Sequence, residues 1–386
     1  MIVSLSQVPH LVFGEGAFEN ARAYLQALGA KRPLIVTSPS NGARAIELCP
    51  GGLIDDSTRS EPTVAHFERL LLAAQAYKPD AVIGLGGGSP LDAAKLVAAL
   101  CHSDQTLPEV FGIGNLRSRS LPLICIPTTA GTGSEVSPNA ILLDEAEQMK
   151  KAVISGFLVP DATFIDPALM VSVPAEVTAA TGLDALTHCI EAYANNFAHP
   201  LVDTWALDGV RLISSHLVTS VREPLDIEAR TKVALGSLYG GLCLGPVNTA
   251  AVHALSYPLG SRYHVPHGHA NAILLPHVLR FNIPAAPKRY AAIAVALGVR
   301  PQANDETTAL AGIEALWELI EQTGLEMNLG TLRIPESDVP AMATAGLAVT
   351  RLMKNNPRSM TQADAEDIYR AAFASGRVSS LISFHK

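Results

Sequence analysis

The chain is poor in charge. Asp, Glu, Lys and Arg make up 17% of its 386 residues, against 48% hydrophobic residues. A chain that apolar buries large cores and is not a disordered segment. Lys and Arg total 28 against 36 acidic residues, and they form no run or stripe. Without a basic footprint, nucleic acid is excluded as an expected partner. Cysteine is scarce too. Cys49, Cys101, Cys125, Cys189 and Cys243 are odd in number, far apart and set in apolar sequence. They read as reduced core thiols of a cytoplasmic protein, not as a disulfide frame or a zinc knot. No uncharged apolar stretch reaches the roughly 18 residues of a membrane span. The opening MIVSLSQVPHLVFGEG has no basic segment followed by an apolar one, so no signal peptide is expected.

What remains has the length of two domains, and the two halves differ in pattern. In the first, short apolar runs at Pro33–Ser38, Ala81–Gly87 and Leu121–Thr129 read as buried strands. Helical stretches at Ala17–Leu28, Thr63–Ala76 and Ser89–Leu100 lie between them. That alternation predicts an α/β domain built on a parallel sheet covered on both faces. Short apolar segments between Ile141 and Asp166 are expected to extend the same sheet. From about Pro174 helical patterns dominate, at Ala175–Asn196, Thr204–Leu217, Asp226–Leu244 and Asp305–Gly324. The last places Leu310, Ile313, Leu316 and Ile320 on one stripe, and Thr361 with Asp364 reads as a capping box. The expected division is an α/β domain over residues 1–172 and an all-α domain over 173–386. No internal repeat or low-complexity tract is present.

Two loops of the first half suit a nucleotide. Gly86, Gly87, Gly88, Ser89 and Pro90 close a strand and open a helix, with Asp92 and Lys95 following. Glycines let the backbone approach a bulky anion, and the free amides of a helix start bind phosphate. The sequence is neither G-x-G-x-x-G nor a P-loop, and a plain tight turn would look similar. The second loop, Pro127 to Ser137, sets Thr128, Thr129, Thr132, Ser134 and Ser137 around two glycines, a surface of small donors. Both follow strands, and in α/β sheets ligands gather at those carboxyl ends.

The second half holds a possible metal set. Asp184 and His188 are four residues apart on a helical stretch and share a face. Alone such a pair is more often a surface hydrogen bond. His253, His264, His267, His269 and His277 then cluster within 25 residues, out of 12 histidines in all. Asp184, His188, His253 and His267 together would give three nitrogens and one oxygen, a set that suits Fe²⁺ or Zn²⁺ and leaves room for a substrate oxygen. His264, His269 and His277 read first as structural.

The segments GGGSPLDAAK, PTTAGTGSEVSPNA, TGLDALTHCIEAY and HALSYPLGSRYHVPHGHANAILLPHVLRFN occur in this order and resemble the signatures of iron-containing (group III) alcohol dehydrogenases. FGEGAFENARAYLQALGAKRPLIVTS and NPRSMTQADAEDIYRAAF carry the resemblance over nearly the whole chain. The resemblance implies a dinucleotide-binding domain, a helical domain and a metal in the cleft between them. It implies metal ligation by Asp184, His188, His253 and His267, and pyrophosphate on Gly86 to Ser89 with Asp92 in the following helix. Thr128, Thr129, Thr132, Ser137 and Asn139 would line the ribose path, and Lys151 would lie near the nicotinamide ribose. The implied cofactors are NAD or NADP with Fe²⁺, Zn²⁺ being possible. The implied reaction is hydride transfer between nicotinamide and an alcohol, aldehyde, ketone or oxo acid. A homodimer or larger assembly is the family habit.

Two departures stand out. Many members carry a further histidine one turn after the first ligand of the HALSYPLG segment, where this chain has Tyr257. Tyr257, His264 or water is then left to carry protons. Many NAD-preferring members end the second strand with Asp, where this chain has Ser38, so NADP is expected to be tolerated. The stretch TSPS is similar to the maleylacetate reductase branch, and the lactaldehyde reductase branch is also near. Competing readings are a dehydroquinate synthase-like lyase, a glycerol dehydrogenase relative and a non-catalytic nucleotide sensor. The first would need clustered basic residues where only scattered ones such as Arg262 and Arg280 occur, and four intact ligands speak against the last.

Overall fold

A computed structural model describes residues 2–59 and 61–374. It divides into two compact units, Ser4–Val173 and a second that begins at Pro174. The first unit runs β1 (His10–Phe13), α1 (Ala17–Leu28), β2 (Pro33–Thr37), α2 (Gly42–Leu48), β3 (Leu53–Asp55), α3 (Val64–Tyr77), β4 (Ala81–Gly86), α4 (Gly88–Leu100), α5 (Leu107–Val110), β5 (Gly112–Ile113), β6 (Leu123–Pro127), β7 (Asn139–Asp144), β8 (Met149–Ile154) and β9 (Ala162–Ile165). Six strands form a parallel sheet in the order β1-β9-β6-β4-β2-β3. β2, β4, β6 and β9 are buried along their whole length, as strands covered on both faces must be. One face packs Leu34, Val82, Leu123 and Cys125 against α3 and α4, and the other packs Ile35, Ile83, Ile124 and Phe164 against α1 and α2.

The segment between Ile141 and Asp166 departs from expectation. Of its strands only β9 joins the main sheet. β7 and β8 instead pair antiparallel, and β8 pairs with β5 in a separate sheet of order β5-β8-β7. The cause is local. Residues 145–148 are too short for the crossover of a dozen or more residues that a parallel neighbour needs. β8 also carries Lys150 and Lys151, which cannot lie inside a sheet buried on both faces.

The register of β4 against β6 positions the two loops read from the sequence. Leu85 lies beside Ile126 and Gly86 beside Pro127, so both strands end at one level. The Thr128 amide then donates to the Gly86 carbonyl at 2.9 Å. Below them α4 is buried nearly all round, and within it stands a buried cation. The Lys95 ammonium donates to the Asn139 carbonyl at 2.7 Å, the Ser137 carbonyl at 2.9 Å and the Ser134 hydroxyl at 3.2 Å. It thereby ties α4 to the loop that follows β6.

The second unit runs α6 (Ala175–Tyr193), α7 (Pro200–Arg222), α8 (Ile227–Leu244), α9 (Ala251–Tyr263), α10 (His267–Asn282), α11 (Pro287–Ala296), α12 (Asp305–Thr323), α13 (Val339–Leu347), α14 (Thr350–Met353) and α15 (Gln362–Ala371). α15 opens with the expected capping box, Asp364 N–H to Thr361 Oγ1 at 3.2 Å and Thr361 N–H to Asp364 Oδ2 at 2.9 Å. On α12 the buried stripe is Ala309, Ile313, Leu316, Trp317 and Ile320, while Leu310 lies one step off it and is 37% exposed. α9 and α10 contain Pro258 and Pro276 in their interiors. A proline there removes an amide donor and breaks an isolated helix. Here burial of almost every side chain on both helices outweighs that cost. The five cysteines are free, four buried and Cys49 half-buried. No helix among the described residues is long and apolar enough to cross a membrane.

Replacing Lys95 by Met should lower stability by about 3 kcal/mol. It strips two buried carbonyls of their donor and leaves the Asp92 carboxylate without its neighbouring cation. Urea unfolding of the two proteins measures the difference; equal midpoints would mean that the ammonium contributes nothing net.

Candidate active site

The nucleotide-type features lie in the first unit. Gly87 caps α4, and Gly86 before it takes φ +152°, a value that side chains other than hydrogen disfavour. The helix begins at Gly88, so its first amides point outward from the turn with the positive end of the helix dipole. Two threonines of the second loop close on the turn. A Cβ on Gly87 would lie 3.3 Å from Thr129 Oγ1, and one on Gly88 would lie 2.7 Å from the Thr132 side chain. The glycines are therefore needed for loop contact as well as for backbone freedom. The Ser89 hydroxyl accepts the Glu61 N–H at 3.2 Å. At the end of β2, Ser38 Oγ lies 3.0 Å from Ser40 Oγ and accepts from Asn41 Nδ2 at 3.1 Å. Asn41 Nδ2 also reaches Thr128 Oγ1 at 3.5 Å, and Arg44 donates to Asn41 Oδ1 at 2.9 Å.

Several expected cofactor residues are engaged inside the protein. Asp92 accepts from the Ser134 hydroxyl and from the Ile141 amide at 2.9 Å. Burial raises its pKa above the usual carboxylate range, against the pull of Lys95. Its carboxylate thereby ties α4 to the loop after β6 and to β7. The Ser137 hydroxyl lies 3.5 Å from the Lys95 ammonium, and Asn139 gives it its carbonyl. Lys151 is held on the β7–β8 hairpin by Asp144 at 2.8 Å and Glu147 at 3.0 Å. Its charge is already matched by these two carboxylates of the same hairpin.

The metal-type cluster lies in the second unit and is assembled from three helices. α6 supplies Asp184 and His188, α9 supplies His253, and α10 begins with His267. Donor atoms of Asp184, His188 and His253 all lie within 4.8 Å of one another, and all three residues are buried. Nε2 of His253, His188 and His267 stand 3.5, 3.7 and 3.8 Å from Asp184 Oδ1. Ligands about 2.1 Å from a common tetrahedral ion stand about 3.4 Å apart, so the spacing fits a single cation. The His188 and His253 rings stack at 4.8 Å, and His253 meets His267 edge-on at 5.3 Å. The His267 side chain is 27% exposed where Asp184 is 2%, so the cluster opens on the His267 side.

Two residues that the sequence reading passed over complete the cluster. Glu191 is one turn beyond His188 on the same face of α6. It accepts from His253 Nδ1 at 2.6 Å, from the Ala250 amide at 3.0 Å and from the Val252 amide at 2.6 Å. One buried carboxylate thus caps the positive end of α9 and turns Nε2 of His253 toward Asp184. Asn271, one turn after His267, donates to Asp184 Oδ1 at 2.7 Å and has Nδ2 3.1 Å from His253 Nε2. The i+7 spacing from Asp184 to Glu191 and the i+4 spacing from His267 to Asn271 were the available signals.

The electrostatics of the cluster favour positive charge. Burial works to raise the Asp184 carboxyl, but His188, His267 and His253 together hold it well below the usual range. Burial works to lower His253, but hydrogen bonds to Asp184 and Glu191 push it up to about 10. A divalent cation satisfies such a set as a proton does, and the donor chemistry fits it. Of the other histidines, His269 Nε2 lies 2.5 Å from the Glu326 carbonyl and His277 packs edge-on against Trp317 at 5.5 Å. His264 is exposed at the C-cap of α9 with φ +57°, and no hydrogen bond or ring contact among the described residues joins it to the cluster. Tyr257 does reach it, its ring 6.1 Å from that of His267.

Comparison with known proteins agrees with this arrangement. Residues 9–167 match the model of the family described as iron-containing alcohol dehydrogenase, and residues 178–373 match its C-terminal counterpart. The chain is 38% identical over 381 residues to a long-chain-alcohol dehydrogenase of Geobacillus thermodenitrificans, covering 94% of each. The fold superposes on a 1,3-propanediol oxidoreductase with a TM-score of 0.92 at 32% identity, covering 97% of this chain and 100% of that one. It superposes on a sulfoacetaldehyde reductase of Bifidobacterium kashiwanohense, solved with NAD⁺, with a TM-score of 0.86 at 27% identity, covering 97% and 100%. With both halves matched, the chain belongs to the iron-containing alcohol dehydrogenase family and is an oxidoreductase of metal-dependent alcohol and aldehyde chemistry.

Proposed function

We propose that this protein is an NAD(P)-linked aldehyde or ketone reductase in which Asp184, His188, His253 and His267 hold one ferrous ion. The observation that carries the reading is the buried donor set around Asp184 Oδ1. Zinc fits the same ligands, and supply in the cell decides between the two. When bound, the ion would polarise a carbonyl oxygen, and the nicotinamide carries the hydride. In the reduction the carbonyl carbon gains the hydride and its oxygen gains a proton, leaving an alcohol and oxidised cofactor.

The chain's own groups supply the rest. His267, the most exposed of the four, marks the side from which substrate approaches. Tyr257 beside it is the proton carrier in place of a histidine, a role for which His264 is badly placed. Glu191 and Asn271 orient the ligands. The turn Gly86–Ser89, with Thr128, Thr129 and Thr132, takes the pyrophosphate and ribose. A cytoplasmic homodimer is the assembly we expect from family habit.

Ser38, Ser40 and Arg44 at the end of β2 support acceptance of NADP. Two hydroxyls and a guanidinium suit a 2′-phosphate, which an acid at Ser38 would repel. Arg44, in the first turn of α2, carries no motif signal in the sequence.

Three outcomes follow. His267→Ala should lose metal and turnover together; retention of full metal content and rate would remove His267 from the ligand set. Glu191→Gln should keep the fold and weaken metal affinity about 10- to 100-fold, read by competition with a chelator. Arg44→Ala should raise KM for NADPH several-fold and leave KM for NADH little changed. An enzyme that turns over NADH and shows no NADPH binding would overturn the cofactor reading.

A further inference from the structure

Arg351 opens the short helix α14 and is half-buried. Its Nη2 donates to the Tyr257 hydroxyl at 2.8 Å, and its guanidinium carbon lies 5.7 Å from the centre of that ring. No other hydrogen bond and no ion pair engages it among the described residues. Three other arginines of this unit are matched, Arg289 with Asp203 at 2.6 Å, Arg280 with Glu314 at 3.5 Å, and Arg370 with Glu366 at 2.6 Å, while Arg262, Arg300 and Arg333 are exposed where Arg351 is half-buried. A guanidinium presents five N–H donors in a fixed fork, and among the described residues one is used.

Its position is fixed by the fold. The residues just after α14 are pinned by asparagines. Asn196 donates to the carbonyls of Lys354 at 3.2 Å and Asn356 at 2.7 Å, Asn355 donates to the Thr249 carbonyl at 2.7 Å, and Asn356 and Asn282 exchange hydrogen bonds at 2.8 Å. On the inner side Leu352, Val349 and Met353 pack with Tyr257 and Ala254 of α9. α14 is therefore seated on the helix that carries His253, and Arg351 meets the same tyrosine that stands beside His267. A cation so placed, with its fork largely unused among the described residues, has donors to offer an anion.

We infer that Arg351 is the specificity residue of this site and that the substrate is an oxo acid, an aldehyde or ketone carrying a carboxylate a few bonds from the reacting carbon. The carboxylate pairs with the guanidinium while the carbonyl lies on the His267 side of the cluster, the substrate running alongside the Tyr257 ring that both residues meet. The assignment rests on the reductase reading above and narrows it from alcohols and aldehydes in general to acids. Charge-matched binding at the far end holds the carbonyl in one orientation, and a neutral analogue of equal length lacks that anchor.

The test uses the metal-loaded full-length enzyme with succinate semialdehyde and its neutral counterpart butanal, at saturating reduced cofactor. The wild type should favour the acid in kcat/KM by on the order of 100-fold, the range of a hydrogen-bonded charge pair. Arg351→Met should collapse that ratio toward unity, mainly through KM of the acid, and Arg351→Lys should restore part of it. A mainly structural arginine would lower both substrates together and leave the ratio unmoved, which overturns the assignment. So does a wild type with equal kcat/KM for the two, whether or not the Met variant folds. Brisk turnover of butanal with no gain for the acid would sink the oxo-acid inference alone. Turnover of neither would sink the reductase reading, and this inference with it.

Discussion

Burial of the Asp184 carboxylate among three imidazoles sets the terms for the whole helical unit. A lone carboxylate at that depth carries a desolvation cost of several kcal/mol, so His188, His253 and His267 must all approach it. They come from three helices, and side chains of fixed length bring their atoms together only if the backbones come close. The glycines permit that. A Cβ on Gly182 would collide with Leu217 and one on Gly268 with the Ala180 carbonyl, while one on Gly240 would lie 3.2 Å from His188 Cβ. Glu191 completes the arrangement by capping α9 and holding His253. Geometry that suits a cation is thus built into how the helices pack, not added at a surface.

Much of this was legible in the sequence because the signals were local. The strands around the glycine turn, the helix spans of the second half and the Asp184–His188 spacing all follow from periodicities of two or 3.6. What was not legible depended on packing at a distance. Pro258 and Pro276 argue against helices when read locally, yet α9 and α10 form because both are buried. Nothing near Asp92 in sequence discloses its partner Ser134, 42 residues on, and the pairing of Lys151 with Asp144 depends on the β7–β8 hairpin that brings them together. The apolar residues of β7 and β8 suit the main sheet, and the short connection between them dictates an antiparallel hairpin. Arg351 lies 94 residues from Tyr257 and had no local signal at all.

The two units fix their candidate ligand groups by different means. In the first, the turn at Gly86–Ser89 offers backbone amides, and side chains serve to hold loops against it. Thr129 and Thr132 lean on the glycines, and Lys95 pins the following loop from beneath. In the second, the candidate groups are side chains on long helices, oriented by further side chains such as Glu191 and Asn271. Backbone recognition tolerates exchange of most side chains and forbids it at glycine. Side-chain recognition tolerates little at the ligands and their partners.

That difference bears on where the site is free to vary. His253 and His267 are fixed by Asp184, by Glu191 capping the start of α9 and by the entry to α10. Tyr257, a turn further along α9, touches His267 with its ring but takes no part in holding the donors together. It faces α14, a short element that the asparagine cluster seats without dictating what residue 351 should be. A change there alters charge beside the opening of the cluster and leaves the cluster's own contacts intact. Arg351 occupies the position where selectivity between substrates can change at least cost to the metal-type geometry.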